Sequence, residues 1–184
     1  VARDQASGLV VAMARVVTVP DRDPRPPARH AENSVARGYG PWAFGATAEV
    51  LMGTAPENGP YQRNAEGRLQ TRKAPWAGKD DRRAEFEFDA AGRLNSIRLW
   101  VAENVDAEAA AKALAVAEKY LQKLTGSDYA LTSRILARLA AKPESVPAIA
   151  SDEIPQVMLG MRARLTAIRH PQLGWQVYLA FTAF

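Results

Sequence analysis

Two histidines, seven serines and no cysteine bound the chemistry open to this chain of 184 residues. Without cysteine there is no disulfide, no thiolate metal site and no thiol nucleophile. His30 and His170 lie near opposite ends, which argues against a zinc site built from histidines. The serines (Ser7, Ser34, Ser96, Ser127, Ser133, Ser145 and Ser151) stand in no Gly-x-Ser-x-Gly elbow. There is no Gly-x-Gly-x-x-Gly, no Walker loop and no His-Glu-x-x-His. His170 precedes Pro171 in a predicted turn and reads as a solvated turn histidine. The carboxylate pairs Asp80-Asp81 and Asp152-Glu153 lack the spacing of an EF-hand loop and read as surface charge. The expectation is a chain with no cofactor and no catalytic residues.

The cations allow a different chemistry. Lys plus Arg is 24 and Asp plus Glu is 20, a formal net charge of +4. Arg162 and Arg164 share the polar face of one predicted strand, with Tyr178 on the strand facing it. Such a face could neutralise and stack a single-stranded nucleic acid. The interspersed acids and the absence of an RNP-like pattern argue against a nucleic-acid partner. Glu85 and Glu87 project from another polar strand face, where a cross-strand ion pair with Arg98 is expected. The aromatics Tyr39, Trp42, Phe44, Tyr61 and Trp76 lie in or beside segments rich in glycine and proline. Tyr and Trp dominate interface hot spots, so these five are the candidate partner-binding residues. The competing reading is that they fold back and cap the sheet.

These residues need elements to hold them. Residues 9–19 alternate with both faces apolar, which predicts a central strand ended by Pro20. Arg15 breaks one apolar face of it and is the candidate pocket residue. Residues 20–41 form an irregular proline-rich segment, since each proline lacks a donor and restricts the residue before it. A short helix is expected over 44–53, capped by Thr47 and stopped by Gly53. A meander follows, with strands at 68–74, 83–88 and 94–102. A four-residue loop between Asp89 and Leu94 would set Phe86 against Ile97, Ala84 against Leu99 and Glu85 against Arg98.

Residues 106–125 predict a helix with Asp106 as its N-cap and Gly126 as its stop. Its apolar stripe is read as Ala113, Val116, Ala117, Tyr120, Leu121 and Leu124. A second helix is expected over 128–141, buried through Leu131, Ile135, Leu136 and Leu139. The prolines of 142–156 suggest a linker. Residues 157–184 predict a hairpin around the loop 170–174, pairing Leu165 with Leu179 and Ala163 with Phe181.

Two stretches carry a family likeness. Gly45-Ala-Thr-Ala-Glu-Val-Leu-Met-Gly-Thr-Ala-Pro56 and Phe86-Glu-Phe-Asp-Ala-Ala-Gly-Arg-Leu94 resemble the helix and hairpin of small bacterial envelope lipoproteins that assist outer-membrane assembly. Those share a helix-pair-on-sheet plan with the β-lactamase inhibitory proteins. The likeness spans residues 42–101, about a third of the chain. Ala46 stands where that family has methionine, and 54–83 has no counterpart in it. The resemblance implies a protein-binding module without a cofactor, and no binding residue is carried over.

Together these readings predict an α+β fold over residues 1–184 as one domain. The sheet is antiparallel, with about five or six strands and two long helices packed on one face. No apolar run is long enough for a transmembrane segment. A chain that begins at Val1 and lacks cysteine is expected to be exported to the periplasm or cell envelope. The expected function is non-enzymatic binding of another protein. The alternative is a small-ligand or enzymatic pocket enclosed by a curved sheet and helices.

Overall fold

The computed structural model describes residues 3–4, 9–10, 38–76, 80–158 and 160–183. Four two-residue strands form one small sheet: β1 (Arg3–Asp4), β2 (Leu9–Val10), β3 (Gly38–Tyr39) and β4 (Trp42–Ala43). Gly38 is required there by a close approach, because a Cβ on it would meet the Trp42 carbonyl oxygen at 1.7 Å. Of the expected strand 9–19 only Leu9 and Val10 are among the described residues, and as β2 they pair within the small sheet. Arg15 and most of the proline-rich segment lie outside the described residues.

Helix α1 (Ala48–Thr54) starts where Thr47 accepts the Val50 N–H. Gly53 does not stop it. The helix runs on to Thr54, whose hydroxyl bonds the Val50 carbonyl at 2.7 Å, before Pro56 opens a 3-10 turn.

The large sheet has seven antiparallel strands. In spatial order they are β5 (Gln62–Arg63), β6 (Leu69–Trp76), β7 (Asp80–Phe88), β8 (Leu94–Val105), β11 (Gly174–Ala183), β10 (Met161–His170) and β9 (Ala148–Met158). The count exceeds the expected five or six for two reasons. Strand β5 is too short to show a period. Strand β9 falls in the stretch read as a linker. Its Pro155 is tolerated because an edge strand has N–H groups that need no partner strand. What looked like one strand from Val157 onward is the end of β9, a tight turn at Gly160, and then β10.

The registers follow the apolar pattern. Phe86 pairs with Ile97, Ala84 with Leu99 and Glu85 with Arg98. The closing pair differs from the one expected, because Phe88 and not Asp89 pairs with Leu94. Asp89 N–H bonds the Arg93 carbonyl at 2.8 Å, and a bulge after Glu87 absorbs the extra residue. Gly92 makes this possible at φ 72°, the left-handed region that follows a tight turn. Leu165 pairs with Leu179 and Ala163 with Phe181 as expected. The hairpin continues to His170 opposite Gly174, so its loop has three residues rather than five.

Helix α2 (Ala107–Thr125) has Asp106 accepting the Ala109 N–H at 2.7 Å and ends on Gly126 at φ 66°. Its buried stripe is Ala110, Leu114, Ala117, Tyr120 and Leu121, whereas Val116 is exposed. Helix α3 (Leu131–Ala140) begins three residues later than expected. Asp128 does not cap it. The Glu118 carboxylate of α2 accepts both the Leu131 and Thr132 N–H groups, at 3.0 Å each. A carboxylate at the positive end of a helix also complements its dipole. At the far end of α3, the buried Arg169 of β10 donates to the carbonyls of Leu139, Lys142 and Pro143.

Both α2 and α3 lie against the sheet. Under them the core runs through Ile97, Leu99, Leu165, Leu179 and Phe181, all at 0% exposure. None of the described helices is long and apolar enough to cross a membrane.

Candidate interaction surface

Period-2 alternation sends every second side chain of the sheet away from the helices. On this other face the strands carry charge. Across the sheet one row runs Glu85, Arg98, Ala180, Arg164 and Glu153. The next row runs Trp100, Tyr178, Thr166 and Ser151.

The β7–β8 side is an ion-pair network. Glu85 is 3% exposed. Its carboxylate accepts from Arg83 at 2.7 Å and from Arg98 at 3.1 Å. Glu87 accepts from Arg98 at 3.2 Å and pairs with Arg68 at 3.4 Å. Arg83 also reaches Glu103 at 2.7 Å. A buried carboxylate is tolerable only when paired and hydrogen-bonded, and two guanidinium groups meet that condition here.

Two aromatics continue the network. The Arg83 guanidinium lies 4.2 Å over the Trp100 ring, and Arg98 lies 5.0 Å over Tyr178. The two rings stand 5.2 Å apart at 55°. This Arg–Trp–Tyr–Arg series holds the guanidinium groups by cation–π attraction as well as by their carboxylates.

The β10–β9 side mirrors it with one acid. Glu153 accepts from the Nε and Nη2 of Arg164 at 3.1 and 2.7 Å, and pairs with Arg162 at 3.7 Å. Asp152 pairs with Arg134 of α3. The Asp152-Glu153 pair is therefore surface charge that is held, Asp152 by Arg134 and Glu153 by Arg162 and Arg164. Between the two sides Ala180 leaves a groove of about 250 Å³, lined by Arg98, Arg162, Arg164, Tyr178, Ser96 and Thr182, with Glu87 and Glu153 at its ends. Shallower depressions of about 370 and 480 Å³ flank it at Trp100 and at Arg68.

The aromatics singled out from sequence lie elsewhere. Tyr39, Trp42 and Trp76 are buried, at 1%, 0% and 4% exposure. Tyr39 stacks on Phe181 at 5.4 Å, Trp42 meets Phe86 edge-on at 4.9 Å, and Trp76 packs on Tyr120 at 5.0 Å. Phe44 and Tyr61 are half-buried against the same core. The Trp42 indole N–H donates to the Tyr61 hydroxyl at 3.0 Å, which donates to the Ala55 carbonyl at 2.8 Å. Burial pushes the Tyr61 phenol up from its ordinary value, opposed by the Trp42 hydrogen bond and helped by Glu57. Burial likewise raises Tyr39, against a hydrogen bond with Tyr120. These rings fold back on the sheet, so a partner could reach Tyr39, Trp42 or Trp76 only by opening the core.

His170, expected in the turn, is instead the last residue of β10. Its Nδ1 accepts the N–H groups of Gln172 and Leu173, both at 3.2 Å. Among the described residues no three His, Asp or Glu side chains gather as a metal would need. The open face thus offers hydrogen-bond donors and flat rings. Sequence reading placed Arg162, Arg164 and Tyr178 on one face, and paired Glu85 with Arg98. It missed Trp100 and the joining of the two sides. The Arg98-x-Trp100 alternation was the available signal.

No family model, no curated protein and no solved structure matches the chain.

Proposed function

We propose that the chain is a non-enzymatic module that binds another protein through the open face of its large sheet. The observation that carries this reading is the asymmetry of the two faces. One is filled by apolar side chains under α2 and α3. The other holds a pre-ordered array of arginines and stacked rings whose outer members stay half-exposed, with Arg162 at 42% and Arg164 at 55%. Pre-ordered Arg and aromatic side chains lose little entropy on binding, and they are the residue types that anchor interfaces. An envelope location belongs to the proposal only through the likeness of residues 42–101.

The test is site-specific photocrosslinking in the source cells. A crosslinker at Tyr178 on the open face is compared with one at Val116, exposed on α2. One protein captured from Tyr178 and not from Val116 supports the reading. Equal capture from both positions, or none from Tyr178, overturns it. Fractionating the crosslinked product into envelope and cytosol tests the location separately.

A further inference from the structure

We infer that the groove over Ala180 receives a single carboxylate of the partner protein. The inference rests on the protein-binding reading above and deepens it. The floor is a methyl group between two guanidinium groups, since Arg98 and Ala180 are cross-strand partners, as are Ala180 and Arg164. Any longer side chain at position 180 would fill this space.

The walls are rich in donors. Each guanidinium has five N–H donors and no acceptor. Arg98 gives one bond to Glu85 and one to Glu87, and Arg164 gives two to Glu153. Both therefore keep N–H groups beyond those their own acids take. Ser96 and Thr182, whose hydroxyls lie 3.5 Å apart, add donors at the same end of the floor. A donor-rich groove fits an acceptor-only group, and an ionised carboxylate is the protein side chain that is one.

The acids at the ends limit the charge of the occupant. Glu87 and Glu153 border the groove on its two sides. A strand of phosphates crossing the face would bring several charges past both acids, whereas one carboxylate seated between the arginines brings a single charge. The same acids hold the guanidinium planes in place, so the groove is ordered before the partner arrives. The occupant is an Asp or Glu side chain of the partner.

The probe is acetyl-Gly-Glu-Gly-amide, titrated into the 15N-labelled chain while the Ala180 amide and the arginine Nε–H signals are followed. Its glutamine twin, inorganic phosphate and oligothymidylate are run in parallel. The expected result is saturable shifts at Ala180 with the glutamate peptide and binding about fivefold or more weaker for the glutamine twin. Ala180→Leu, which fills the floor and leaves every arginine in place, weakens the glutamate peptide about tenfold or more while the rest of the spectrum is unchanged. Equal response to the glutamine twin, tighter binding of phosphate or oligothymidylate, unaltered binding in Ala180→Leu, or no shift with the glutamate peptide overturns the inference. If Tyr178 still crosslinks one protein while the peptide is silent, the carboxylate is wrong and the binding face stands. If the peptide binds while crosslinking fails, the groove is an anion site and the protein-binding reading falls.

Discussion

The two faces of the large sheet both bury side chains, and they do so by opposite means. Under the helices Ile97, Leu99, Leu179 and Phe181 are inside because apolar area leaves water there, at about 25 cal/mol per Å². On the open face Glu85, Trp100 and Thr166 are nearly as enclosed, at 3%, 7% and 1% exposure. Around Glu85 and Trp100 enclosure depends on ion pairs and packed rings, whose net contributions are small because the charges give up hydration. The helix face therefore carries most of the stability.

The largest effect belongs to the first face. Trp42→Ala removes a fully buried ring that touches Phe86 and donates to Tyr61. Urea unfolding is expected to show a loss of about 3–5 kcal/mol. A loss below about 1 kcal/mol would mean that the β3–β4 hairpin is only laid against the core, and the contrast between the faces would weaken.

Glu85→Ala tests the open face at its most enclosed point. It leaves Arg83 and Arg98 without their shared acid. Breaking a fully buried pair costs about 3–5 kcal/mol. Here the guanidinium groups keep 17% and 23% of their side-chain surface, so the expected loss is about 1–3 kcal/mol by urea unfolding. A loss matching that of Trp42→Ala would show that both faces hold the fold equally. Tyr178→Leu is milder. It keeps apolar area while removing the ring that Trp100 and Arg98 stack on. The expected cost is about 0.5–1.5 kcal/mol in the same assay, with Trp fluorescence reporting any change in the surroundings of Trp100.

The helix face was far more legible in sequence than the open one. Period-2 alternation placed Phe86 against Ile97 and Leu165 against Leu179, because one residue of slip would turn every apolar side chain to water. Asp106 and Gly126 marked the ends of α2 through local backbone needs. What escaped was set by contacts distant in sequence. The start of α3 depends on Glu118 of another helix. Strand β9 was hidden because Pro155 reads as a breaker until an edge position is known. The groove exists only once β8 pairs with β11, which brings Arg98 to Ala180 across most of the second half of the chain. No local pattern encodes that meeting. The five loop aromatics share this cause, since Tyr39 is buried by Phe181 at the far end of the chain.

The smallest expected effect on stability separates folding from function. Arg164 is 55% exposed and its acid Glu153 is 30% exposed. An exposed pair of this kind is worth about 0.2–1 kcal/mol, because solvent screens it and two long side chains must be held still. Arg164→Ala should therefore lower urea stability by less than about 1 kcal/mol, and high salt should shrink the difference further. The same change removes one wall of the groove over Ala180. Capture of the partner from a crosslinker at Tyr178 should fall several-fold in Arg164→Ala, even though the domain folds as before. A variant that loses both stability and capture in proportion would show that the open face is structural after all. One that loses neither would move the binding surface away from the groove.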